Sequence, residues 1–217
     1  MEYVLGINGA TFLRTASFPD IAKFTSALTE GLTVLATTRI DDERSFSPRA
    51  DALQKCYQLH AGTTHLQVES RCAIDRLIYA VEHWEMPAEL TPTLNHGDMT
   101  LENIIVDRGG QIYLIDMLDS YIDHWVTDLS KLDQDLYAGW YMRSMAPIAL
   151  SVVHFVRKQL RIASGVIDGG VANQMTPLFL CINIARILPY CQVPEDREFV
   201  LQRLNSLLAC LGKPECR

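Results

Sequence analysis

The sequence is short of positive charge: 19 lysines and arginines stand against 26 aspartates and glutamates in 217 residues, a formal net charge of −7. A dedicated nucleic-acid binder presents a basic face to phosphates, so no nucleic-acid partner is expected. The six cysteines, at 56, 72, 181, 191, 210 and 216, form no Cys-x-x-Cys pair and have no histidine at zinc-ligand spacing, which argues against a zinc module. Buried or idle thiols in a reducing compartment are expected instead, and with them a cytoplasmic protein. No basic N-terminal segment precedes a long apolar core, and the most apolar later run, Met145 to Val156, is broken by Pro147, Ser151 and His154, so no membrane partner is expected. There is no internal repeat, low-complexity tract or linker, and a single domain over residues 1–217 follows. Nor is there a Gly-x-Ser-x-Gly nucleophile elbow, which lowers a hydrolase reading.

What is present is mostly helical patterning. Ser17 to Ala36 carries Ile21, Phe24, Leu28, Leu32 and Leu35 at helical spacing, and Ser47-Pro48 opens a second helix ending near Gly62. A third has Ile74, Leu77, Ile78 and Val81 on one face, after which Pro87 and Pro92 force extended chain. Thr127-Asp128 reads as a cap for a segment bearing Leu129, Leu132, Leu136 and Trp140. Helical stretches are expected at about 147–163, 176–188 and 194–211, with Gly165 to Gly170 as a loop and Gly6-Ile7-Asn8-Gly9 as a turn. The fold class that results is α+β and predominantly α-helical, with its chemistry on a small β-hairpin.

That hairpin lies inside the stretch from Asn95 to Asp128. Ile104 to Val106 and Ile112 to Ile115 are β-prone runs joined by Asp107-Arg108-Gly109-Gly110, a turn composition. Pairing them brings Asn103 and Asp116 to the same open end, and Asp98 precedes Asn103 on a short loop. An amide and a carboxylate there could hold magnesium, while a second carboxylate could accept a proton from an attacking hydroxyl. Phosphoryl transfer needs that division: a metal to neutralise charge on the moving group and a base to orient the nucleophile.

His96-Gly97-Asp98 with Asn103, followed by Ile115-Asp116, resembles the His-Gly-Asp…Asn…Ile-Asp pattern of the aminoglycoside phosphotransferase and choline kinase group, relatives of the protein kinases. The Asp-to-Asn spacing matches the kinase catalytic loop. The resemblance implies a protein-kinase-like C-terminal lobe in which Asp98 is the catalytic base, His96 braces the loop, and Asn103 and Asp116 are ligands of Mg2+. It further implies that residues 1–6 are hinge-like, with backbone groups of Glu2 and Val4 meeting the adenine of ATP. Asp128 matches the family's structural aspartate before Leu-Ala, although Ser130 stands in third place, and helix capping is the role preferred for it here. Met117-Leu118 replace Phe-Gly and no Ala-Pro-Glu follows, which points to a small-molecule branch.

The implied acceptor is a hydroxyl of an aminoglycoside, amino alcohol or sugar. Asp119, Asp123, Asp133 and Asp135, with Trp125, Tyr137, Trp140 and Tyr141, are candidates for its pocket; the plainer reading makes the acids a solvated helix face and the aromatics core. Only five lysines occur, the first at Lys23, and none sits in a Val-Ala-Ile-Lys-like strand. The resemblance is therefore read as covering the C-terminal lobe alone, with a second copy or a partner chain over the inter-lobe surface. Two functions stay open: an ATP- and Mg2+-dependent small-molecule phosphotransferase, and a non-catalytic kinase-like binding or scaffold protein. A metal hydrolase using Asp98 and Asp116 is a distant third.

Overall fold

Caps and apolar spacing place the first helices. The Ser17 hydroxyl accepts the Asp20 N–H at the head of α2 (Phe18–Thr37), and the Ser47 hydroxyl accepts the Ala50 N–H at the head of α3 (Pro48–Gly62). Each begins with a proline in its first turn, where the missing N–H costs nothing. The computed structural model describes residues 5–40, 45–63, 68–143 and 145–211. Before α2 stand a short strand β1 (Gly6–Asn8) and a two-turn helix α1 (Gly9–Thr15), and after α3 comes α4 (Val68–His83). Extended chain then leads through the loop 95–103 into β2 (Ile104–Asp107) and β3 (Ile112–Leu114). Four more helices follow: α5 (Val126–Leu136), α6 (Leu150–Asp168), α7 (Val171–Ala185) and α8 (Pro194–Cys210).

The protein is thus helical for most of its length with one small antiparallel sheet, ordered β1-β2-β3. The hairpin forms as its turn composition predicts. Asp107 Oδ1 accepts the N–H groups of Gly109 and Gln111, and Gly110 sits at φ 83°, a conformation that suits glycine. The third strand corrects the turn expected at Gly6 to Gly9. Gly6 pairs with Asp107 and Asn8 with Ile105, and a Cβ on Gly6 would come within 2.4 Å of the Val106 carbonyl oxygen. Glycine permits that approach, and so short a strand leaves no periodic signal.

The expected loop from Gly165 to Gly170 is also corrected, because α6 runs on to Asp168. Gly169 and Gly170, both with positive φ, make the break. Helix α7 then begins earlier than expected and carries Pro177 inside it. It is apolar and buried on all sides from Met175 to Ala185, packing against α5, α8, α6, α4 and α3. By length and composition the stretch 171–190 could cross a membrane, but 72% of it is buried inside the fold, as befits a core helix.

Candidate functional site

Helix α5 positions the loop. Asp128, Lys131 and Asp135 recur at helical spacing, so they share a face, and that face runs along residues 96–101. Asp128 Oδ2 accepts the His96 N–H at 2.8 Å and its Oδ1 accepts the Gly97 N–H at 2.9 Å. Lys131 Nζ lies 2.9 Å from Asp98 Oδ1, and Asp135 Oδ2 accepts the Leu101 N–H at 2.7 Å. Met99 and Leu101 point into the core and pin the loop from its other side. Four polar contacts from three residues thus fix the backbone at His96, Gly97 and Leu101 and the carboxylate of Asp98.

The role expected for Asp128 is accordingly revised. Trp125, not a side-chain cap, precedes α5, and the Asp128 carboxylate is spent on the loop. Burial pushes its carboxyl up to about 7, against the pull of the two backbone N–H groups. Burial likewise raises Asp135 to about 7 and lowers the Lys131 ammonium, which Asp98 pulls back up. Gly97 is needed on its own account: at φ 81° a Cβ would sit 1.8 Å from the Leu118 carbonyl oxygen. The Leu118 N–H in turn donates to the His96 carbonyl, tying the residues after the hairpin to the loop.

His96 is fully buried and braces the loop from inside. Its Nδ1 accepts the Asp98 N–H at 3.4 Å, which leaves the proton on Nε2, an atom without a well-formed hydrogen bond. Burial lowers its pKa and keeps the ring neutral, although the Ile115 carbonyl, Asp98 and Asp116 oppose that shift.

Asn103 and Asp116 do meet at the open end of the hairpin: Ile104 pairs with Leu114, and the Ile115 N–H donates to the Asn103 carbonyl at 3.0 Å. Asn103 Nδ2 donates to the Asp98 carbonyl at 2.8 Å and to Asp98 Oδ2 at 3.1 Å. Its amide oxygen accepts no hydrogen bond among the described residues. Asp116 is exposed and has φ 58°, making it the one described residue other than glycine in the left-handed region. Glu2 and Val4 lie outside the described residues.

A cavity of about 340 Å³ opens beside Asp98 and Asn103. Of the residues proposed from sequence for an acceptor pocket, Asp135 and Trp140 line it. Asp133 is buried and paired with Arg157 at 2.7 Å and Arg161 at 3.7 Å, Trp125 is core, and the Tyr141 hydroxyl accepts the Ile148 N–H. For Asp133 and Asp135 the reading as a solvated face fails too, since every residue of α5 is buried, whereas Asp119 is exposed. Sequence reasoning missed Lys131, and also Lys55 of α3 and Arg186 at the end of α7, which line the same cavity. The spacing of Asp128, Lys131 and Asp135 was a signal for the first; nothing local marks the other two.

Compared with known proteins, residues 1–147 match the profile of the phosphotransferase enzyme family. No curated protein matches the chain.

Proposed function

Because the chain belongs to the phosphotransferase enzyme family, we propose that it transfers the γ-phosphoryl group of ATP, with Mg2+, to a hydroxyl of a small molecule on a protein-kinase-like C-terminal lobe. The observation that carries this reading is the arrangement of Asp98: a carboxylate on a loop fixed by α5, hydrogen-bonded to Asn103 and facing a cavity. Asp98 would orient the acceptor hydroxyl and take its proton. In transfer of this kind the proton leaves late, so positioning matters more than basicity. The ammonium of Lys131 at 2.9 Å is therefore compatible with the role: it fixes one carboxylate oxygen while lone pairs remain for the hydroxyl.

The donors at the hairpin end fit a hard cation. Asn103 has its NH2 committed to Asp98 and its amide oxygen free of hydrogen bonds, and Asp116 adds a carboxylate in hydrogen-bond contact with nothing described. An amide and one carboxylate are a sufficient protein share for magnesium, whose shell is usually completed by water and phosphate oxygens. When bound there the ion would neutralise charge on the transferring phosphoryl group.

Titration calorimetry with ATP and magnesium tests the proposal. Binding heat that requires magnesium and disappears in Asp116→Asn is expected, together with phosphoryl transfer lost in Asp98→Ala. Heat that is absent, or indifferent to Asp116, would leave a non-catalytic binding protein as the better account.

A further inference from the structure

The cavity beside Asp98 has a chemical bias that the motif does not explain. Its wall includes Asp98, Glu102, Lys131 and Asp135 from the loop and α5, and Lys55 and Arg186 from α3 and α7. We infer that Lys55 and Arg186 bind an anionic group, a carboxylate or a phosphate, carried by the same molecule whose hydroxyl Asp98 orients. The inference rests on the phosphotransferase reading for the hydroxyl, but the anion site itself stands on the wall of the cavity.

The first argument is charge accounting. The acids of the wall are largely committed: Asp98 is paired with Lys131, and Asp135 is buried on the Leu101 N–H. Burial holds the Asp135 carboxyl near 7, so much of it is uncharged at neutral pH. Glu102 is exposed to solvent, where water screens it. Lys55 and Arg186, in contrast, make no ion pair among the described residues, in a chain where acids outnumber bases by 26 to 19. With acids so plentiful, two partly buried cations left unpaired on one cavity wall are a costly arrangement unless something else neutralises them.

The second argument is their proximity. Both side chains line the one cavity, where burial first, and repulsion from the Arg186 charge second, hold the Lys55 ammonium below its usual value. An anion between them removes that repulsion and gains charge-assisted hydrogen bonds from both. The third is preorganisation. The Arg186 guanidinium lies 5.3 Å from the centre of the Tyr121 ring and donates to Asn183 Oδ1 at 3.5 Å. Asn183 is itself buried and donates to Ser130 Oγ on α5 at 2.8 Å. A guanidinium held in this way loses little freedom on binding, and its planar fork suits carboxylate or phosphate. A cationic amino-alcohol acceptor would bring a third unpaired positive charge to the same wall.

Calorimetry on the full chain, with glycerate, glycerol 3-phosphate, glycerol and 2-aminoethanol as probes, tests the inference. At least one of the two acids should bind, and which of them does so distinguishes carboxylate from phosphate. Lys55→Gln and Arg186→Gln should each weaken that acid about tenfold, the usual scale for one charge-assisted contact. Both side chains are partly exposed, so both variants should keep the wild-type melting temperature; Arg186→Glu, as a further variant, should reverse the preference toward 2-aminoethanol. The inference is overturned if neither acid binds, if both variants bind it unchanged, or if glycerol or 2-aminoethanol binds the wild type as tightly. Heat with Mg2+ and ADP, measured in parallel, separates the two ideas. Acid binding that depends on Lys55 and Arg186 without any nucleotide heat would keep the anion site and remove the phosphotransferase reading.

Discussion

The two ends of the candidate site are built in opposite ways. The loop that carries Asp98 is fixed at His96, Gly97, Asp98 and Leu101 by one face of a buried helix, and its carboxylate is held by Lys131 and Asn103. Asp116 stands exposed at the end of a short strand, in a backbone conformation that costs energy, with no described partner for its carboxylate. A group that must aim at a hydroxyl benefits from rigidity before substrate arrives. A group that is to bind a cation benefits from being unpaired, because any existing partner would have to be displaced. The difference between the two ends is thus what the proposed division of labour asks of them, and perturbing each end should give a different signature.

The largest effect is expected from Asp128→Ala. It strips the acceptor from two buried N–H groups, each of which costs roughly 1–3 kcal/mol when left unsatisfied, so a loss of about 2–4 kcal/mol is expected after allowing for the burial cost of the carboxylate itself. Denaturant unfolding would show it, and Asp128→Asn, which keeps one acceptor oxygen, should recover about half. A loss below about 1 kcal/mol would mean that the loop does not depend on α5.

Asp135→Asn probes the same face more gently, through pH. In the folded state burial lifts the Asp135 carboxyl to about 7, well above its ordinary value of 3.8. Between those two values the folded protein holds a proton that the unfolded chain releases, so this residue's contribution to stability declines as pH rises through the window and is level above it. Asparagine does not titrate, and its amide oxygen still accepts the Leu101 N–H. The variant should match wild type near pH 5 and exceed it near pH 8 by about 2–3 kcal/mol, as read from melting curves at the two pH values. Asp128 has the same bias in both proteins, so the difference isolates Asp135. A gap that does not change with pH would contradict the burial argument.

How much of this was legible beforehand follows from how local each signal is. Asp98, Asn103 and Asp116 could be found because their spacing and the hairpin between them are contained in one short stretch. The helices α2 and α3 were equally open to reading, since a serine cap followed by proline is a local device. Helix α5 was misread because charged residues ordinarily face water. Here α7 covers one side of the helix and the loop covers another, so Asp128, Lys131, Asp133 and Asp135 are buried with partners that lie far away in sequence. Lys55 and Arg186 were invisible for a related reason: their meeting at one cavity depends on how α3 and α7 pack, and no spacing along the chain encodes it.

The smallest effect, and the one that separates backbone from ligand chemistry, belongs to Asp116. At φ 58° a side chain with a Cβ is disfavoured, by about 1 kcal/mol or more, whereas glycine is not. Asp116→Gly should therefore fold at least as stably as Asp116→Ala and exceed it by about 1 kcal/mol, less the entropy that glycine adds to the unfolded chain. The two variants should be alike in failing to bind nucleotide with magnesium, since both lack the carboxylate. Matching losses of binding heat with unequal melting temperatures would show that the strained backbone and the metal-binding oxygen are distinct properties of one residue. If instead Asp116→Gly kept its magnesium-dependent heat, the open end of the site would be a turn and nothing more, and the contrast with the loop at Asp98 would lose its functional meaning.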